Sequence, residues 1–146
     1  MKTKVLMLVF ASFAFIGIIT AQEANSKLLS KYSQEELNQF KKDNLKEFYK
    51  LNYFVEKGCY IIEMPSKPIE LIELKKINPK TGYVIPDYII TLEDLDDFNP
   101  LEYNIYRSSL KNNYFRAGDT GYVIVVQSDE DIDVAVTNEM RIKNIR

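Results

Sequence analysis

The sequence predicts an α+β fold: one long N-terminal amphipathic helix packed on a curved antiparallel sheet of about five to six strands. Three observations predict it. Apolar residues recur at helical spacing early in the chain, short β-branched and aromatic runs follow from Cys59 onward, and compact turn signals join those runs. Strands adjacent in sequence and joined by short turns pair antiparallel. There is no repeated alternation of strand and helix, no internal repeat and no low-complexity segment.

The first segment, Met1–Ala21, has the pattern of a cleavable secretory signal peptide. Lys2 and Lys4 form a positive start, Val5–Ile19 carries no charge, and small Ala21 precedes the polar Gln22 and Glu23. The alternative is an uncleaved anchor. The apolar run is short of the roughly 20 residues that span a bilayer, and no basic cluster follows it. No Cys ends the run, so lipidation is not expected. The chain is therefore expected to be exported, periplasmic or secreted, with membrane contact only through the signal before cleavage. The abundance of Lys, Asn and Ile, and the absence of any Asn-X-Ser/Thr site, lean towards a bacterial source.

Removal of residues 1–21 leaves 125 of the 146 residues, enough for one domain. A domain of that size buries roughly 65% of the surface its unfolded chain exposes. Gln22–Lys31 is polar and aperiodic, so residues 22–32 are expected to be a flexible lead-in and residues 33–146 a single domain. Ser33 with Glu36 forms a capping box, Tyr32 can staple onto Leu37, and Glu35 and Glu36 suit the positive helix end. Leu37, Phe40, Leu45, Phe48 and Leu51 recur at helical spacing, which predicts a helix from Gln34 to about Lys50. Beyond it two courses are open. The helix stops near Asn52 and Tyr53–Val55 is a short strand, or it runs on to Gly58 as a C-cap.

Cys59–Met64 is the next predicted strand. Pro65 and Pro68 bracket a linker, which places the following strand near an edge. Ile69–Ile77 and Tyr83–Ile85 flank the turn Asn78-Pro79-Lys80-Thr81-Gly82. Tyr88–Thr91 is another strand candidate, and Leu92–Phe98 a helical turn before Pro100. Tyr103–Arg107, Asn113–Arg116 and Gly121–Gln127 complete the strands, the last two turned by residues 117–121. The C-terminus is ambiguous. Ser128 and Asp131 can cap a helix with Ile132, Ala135, Val136 and Met140 on one face. Ile132, Val134 and Val136 also alternate as in a strand, and β-branching favours that course slightly.

Composition narrows the chemistry. The chain has no histidine, which excludes Ser-His-Asp and Cys-His catalysis and His-ligated zinc or haem. Any catalysis would fall to carboxylates, Lys, Tyr or Ser. Without Lys2 and Lys4 there are 17 basic and 21 acidic residues, a net charge of −4 with no basic stripe. Nucleic acid is therefore not an expected partner. The single cysteine, Cys59, lies in an apolar run and is expected to be a buried, inert thiol. No cofactor motif occurs: there is no P-loop, dinucleotide fingerprint, CxxC or HExxH.

Three constellations remain. Asp129, Asp131 and Asp133 alternate as at the start of a calcium loop. Val134 stands where glycine should turn the chain and Met140 where a glutamate should close the site, so the run reads as an acidic turn or helix start. Glu93, Asp94, Asp96 and Asp97 form a second acidic patch. Two such carboxylates across a cleft could hydrolyse a polysaccharide, although charge runs usually face solvent. Ten tyrosines and eight phenylalanines form the third feature. Tyr103, Tyr106, Tyr114 and Tyr122 fall in neighbouring predicted strands and could line one sheet face as a ligand surface. The expectation is thus an exported, non-catalytic binding or interaction module for a protein or small ligand. A carboxylate-based hydrolase and a structural component of an envelope complex are the alternatives.

Overall fold

A computed structural model describes residues 23–145. Met1–Ala21, on which the export signal rests, lies outside the described residues. The architecture is mixed α and β, with an open four-stranded sheet carrying helices.

Helix α1 spans Gln34–Asp43. Its capping box forms as the sequence implies: the Glu36 N–H donates to Ser33 Oγ at 3.2 Å, and the Ser33 N–H to Glu36 Oε2 at 2.7 Å. The single helix expected from Gln34 to Lys50 does not form. It breaks at Asn44, whose backbone leaves helical geometry at φ −149°, ψ 83°. The physical reason is local competition. Asn44 N–H still closes α1 on the Phe40 carbonyl at 2.8 Å, while its Oδ1 accepts the Glu47 N–H at 3.2 Å and starts α2, Leu45–Tyr53. A short polar side chain that caps one helix removes its own residue from the previous one. The chain then widens into a π-helical turn, Phe54–Gly58, so the course that ends at Gly58 is followed and no strand forms at Tyr53–Val55.

Strands β1 (Cys59–Glu63), β2 (Ile72–Glu73), β3 (Asn113–Arg116) and β4 (Tyr122–Val126) are ordered β1-β4-β3-β2. β1 and β3 pair antiparallel with central β4, whereas β2 pairs parallel with β3. The expectation of five to six antiparallel strands is corrected on both counts. Ile69–Ile77 contributes only two sheet residues because the chain leaves β2 on a long excursion before β3, and a parallel pair requires such a crossover. The Asn78–Gly82 turn does form, with Gly82 at φ +75° and a bridge from Ile77 to Val84, but this hairpin stands outside the sheet. Tyr88–Thr91 is irregular, Tyr103–Arg107 contributes one bridge from Tyr103 to Lys76, and Glu93–Asp96 forms the short helix α3.

The C-terminal segment is helix α4, Asp129–Ile142, and the leaning towards a strand is corrected. Ser128 Oγ accepts the Asp131 N–H at 3.1 Å, three acidic residues occupy the first turn, and Ile132 and Val136 are buried on one face. Capping and a buried stripe outweigh the modest helix penalty of β-branched residues. The flexible lead-in expected over residues 22–32 is also corrected for its described part. Ser26–Ser30 forms a 3-10 helix, and Leu28 is fully buried in the core. Lys27 Nζ anchors this segment by donating to the Phe98 carbonyl at 2.6 Å.

The pleat divides the sheet into two faces. Cys59 and Ile61, Ile124 and Val126, and Phe115 share the face that meets Leu37, Phe48, Phe54, Ile132 and Val136 in one core. Val123 and Val125 turn to the other face yet remain buried. Val125 lies between Tyr60 and Tyr114 in the paired strands, and Val123 between Ile62 and Arg116. Larger cross-strand neighbours shield the small side chains of the central strand.

Candidate functional site

The four tyrosines expected to share a face do not do so. Tyr103 is a core residue, 3% exposed and stacked on Phe98 at 4.8 Å between ring centroids. Burial pushes its phenol up to about 12. Tyr122 points with Ile124 and Val126 to the helix-bearing face and packs against the core. Tyr114 is one pleat out of phase with Phe115 and faces the opposite way. Tyr106 lies outside any strand, 54% exposed, with its ring edge-on to Phe115 at 5.6 Å.

Tyr106 and Tyr114 nevertheless meet at one place. They line a groove of about 570 Å³ at the β2 end of the sheet. The groove is built from Ile69, Glu70 and Ile72 around β2, the loop 106–112, the start of β3, and Asp131 on α4. Its wall is held by a chain of side-chain bonds. Ser108 Oγ donates to Asn113 Oδ1 at 2.9 Å, and Asn113 Nδ2 donates to the Tyr106 carbonyl at 3.0 Å. Asn112 Oδ1 accepts the Ser128 N–H at 3.1 Å, which fixes the loop to the N-terminus of α4. Leu110, 79% exposed, lies on the rim, and Lys111 faces Glu70 across 3.9 Å. The groove therefore offers one exposed aromatic ring, amide and hydroxyl groups, and charges of both signs.

A second cavity of about 420 Å³ lies in the angle between α1 and α2, lined by Tyr32, Leu37, Phe40, Leu51 and Arg107 with Glu36, Glu47 and Lys50. Its charged groups are engaged within the cavity or by α4, although Arg107 Nη1 is buried without a hydrogen-bond partner among the described residues. Glu36 closes the capping box, Lys50 Nζ lies 3.3 Å from Glu47 and 3.4 Å from Asp133, and Arg107 Nε lies 3.1 Å from Asp129. The Arg107 guanidinium also sits over the Phe54 ring at 4.9 Å. Arg107 thus joins the start of the loop to both the core and α4.

The acidic residues fall into separate structural roles. Asp94 accepts from Tyr88 Oη at 2.6 Å, from Thr91 N–H at 2.8 Å and from Thr91 Oγ1 at 3.1 Å. Burial opposes its charge, but these bonds and Lys76 at 3.8 Å outweigh burial and hold the carboxyl below its ordinary value. Asp129 turns to Arg107 and Asp133 to Lys46 at 2.9 Å, while Asp131 faces the groove. The three aspartates of the calcium pattern therefore diverge on the first turns of a helix. Among the described residues no group of three or more His, Cys, Asp or Glu side chains converges to hold a metal.

Among the groove residues that sequence reasoning missed are Glu70, Ser108, Leu110, Lys111, Asn112 and Asn113. The polar run Ser108–Asn113 lacks any period, so its only signal was its position just before a strand. No protein-family model, curated protein or solved structure matches the chain.

Proposed function

We propose that the protein is an exported, non-catalytic binding module that takes a neutral, hydroxyl-rich ligand, an oligosaccharide segment, in the groove between Tyr106 and Tyr114. The observation that carries this reading is the Tyr106 ring, exposed yet braced edge-on against buried Phe115 beside a wall of hydrogen-bonded amides. A braced aromatic ring stacks on the C–H face of a sugar at little entropic cost, while amides and hydroxyls exchange hydrogen bonds with its hydroxyl groups. Lys111 lies 3.9 Å from Glu70, and with Asp131 the lining carries one cation and two carboxylates, a small negative balance that favours an uncharged ligand over a strongly anionic one. Export rests on the pattern of Met1–Ala21. Among the described residues no helix is long and apolar enough to cross a membrane.

The test is titration of the protein with soluble neutral hexasaccharides of glucose and N-acetylglucosamine, followed by amide NMR shifts. Shifts at residues 106–114 that vanish in Tyr106→Ala support the reading. Saturating oligosaccharide without shifts in the groove sinks it. The export arm is separate: mass spectrometry of protein recovered outside the cytoplasm should give an N-terminus at Gln22, and an intact Met1 in a membrane fraction would overturn it.

A further inference from the structure

The densest run of exposed apolar side chains lies outside the groove lining, within one ten-residue segment. Tyr83 is 77% exposed, Val84 50%, Ile85 40%, Tyr88 41%, Ile89 81% and Leu92 57%. Monomeric proteins rarely keep so many large apolar groups together in water without a use for them.

The segment is held in shape. Asn78 N–H donates to the Tyr83 carbonyl at 2.9 Å, Ile85 N–H to the Lys76 carbonyl at 2.9 Å, and Gly82 N–H to the Asn78 carbonyl at 2.7 Å. Asn78 Oδ1 also accepts the Lys80 N–H at 2.9 Å inside the turn. Lys76 Nζ lies over the Tyr88 ring at 4.8 Å, and Asp94 fastens both Tyr88 and Thr91. Ile90, between exposed Ile89 and Thr91, is buried in the core and pins the loop from beneath. A surface already ordered before association loses less entropy on binding.

Charge decides the occupant. In sequence, the exposed carboxylates Asp87 and Glu93 stand among or next to these apolar residues, and exposed Asp96 and Asp97 follow, Asp96 also lining a pocket with Lys27. The exposed cations of the same stretch are Lys75 and Lys80, while Lys76 is engaged by Asp94 and Glu102 at 3.8 and 3.6 Å. A second copy docking by two-fold symmetry would set this acidic rim against itself. An anionic bilayer would meet the same repulsion. We propose that residues 83–92 form a docking surface for a different protein, one presenting apolar side chains within a rim of Lys and Arg. Opposite charges around an apolar centre supply steering and selectivity, and the apolar contact supplies affinity.

The test uses two synthetic amphipathic helical peptides that share one leucine face, one with lysine and one with glutamate on the polar face. Each is titrated into the labelled protein and followed by amide NMR shifts. The lysine peptide should shift residues 83–97, at least tenfold more tightly than the glutamate peptide. Ile89→Ser should weaken it about tenfold or more, and Asp96→Asn with Asp97→Asn severalfold. All three positions are exposed, so these variants should keep the wild-type circular dichroism. Equal affinity for both peptides, or shifts mapped elsewhere, overturns the proposal. Concentration-dependent dimerisation abolished by Ile89→Ser assigns the surface to a second copy instead. Ile89-dependent binding to phosphatidylcholine–phosphatidylglycerol vesicles assigns it to lipid instead.

Discussion

Asn52 holds Asn25: its Oδ1 accepts the Asn25 backbone N–H at 2.7 Å, while its Nδ2 donates to the Phe48 carbonyl at 2.9 Å. Asn52 is 1% exposed, so water does not replace either bond. Asn52→Ala should cost about 1–3 kcal/mol, the usual penalty for a buried polar group left without its partner. Chemical denaturation should show the loss, together with faster exchange of the Asn25 amide. An unchanged unfolding midpoint would mean that this tie contributes nothing.

Asp94 fastens the apolar loop, and its carboxyl titrates below its ordinary value because of the bonds from Tyr88 and Thr91 together with Lys76. A carboxyl with a lowered folded value binds fewer protons in the folded state than in the unfolded one. Its contribution is therefore present above the unfolded value of about 4 and is lost as pH falls through the folded value. Amide protection of residues 88–92 should fall on that acid side. Asp94→Ala should remove it at neutral pH as well, at a cost of about 1–2 kcal/mol. Protection that is insensitive to both changes would rule out Asp94 as the fastening.

Burial pushes the Cys59 thiol up to about 12 from an ordinary value near 9.0, against the opposing pull of Arg107 and Lys27. At pH 8 the folded protein should hold much less thiolate than a free thiol, and thiolate is the reactive form. Alkylation by iodoacetamide should be correspondingly slow until denaturant is added. The sign for stability follows from the same shift. The folded state keeps a proton that the unfolded chain releases, so stability falls as pH rises from about 9 towards 12. Rapid alkylation under native conditions would show that the half-buried thiol is not shielded.

Gly58 marks where helical chain becomes strand. A Cβ there would lie 3.1 Å from Phe54 Cδ2 and 3.3 Å from Ile132 Cδ1, both in buried side chains. Gly58→Ala should destabilise by about 1–3 kcal/mol through overpacking, measured by thermal unfolding. Ile132→Val combined with Gly58→Ala should recover part of the loss if that contact is the cause.

Local chemistry was legible where one short stretch of chain contains both partners of an interaction. Ser33 with Glu36, the Asn78–Gly82 turn, and the strands at Cys59, Asn113 and Tyr122 all form as their residues imply. The break at Asn44 was less visible because the apolar stripe continues across it on both sides. At the groove, Tyr106 and Tyr114 were named from composition and predicted strands. Their convergence depends on the loop that follows Tyr106, where Asn113 reaches back to the Tyr106 carbonyl. Tyr103 and Tyr122 carried the same signal in sequence and went to the core.

A mixed α and β chain, its caps and turns, the lack of histidine and a lone thiol in an apolar run are readable from residue order alone. Those properties reside in residue types and in spacings of a few positions. Long-range packing selects the helical course of Asp129–Ile142, the parallel pairing of β2 with β3, and the two of four tyrosines that face one groove. These outcomes turn on which apolar face finds a partner. Ile132 and Val136 bury themselves as a helical stripe against the sheet, and one pleat separates Tyr114 from Phe115. A period read from sequence gives the faces an element has, and burial against distant residues selects which face is used.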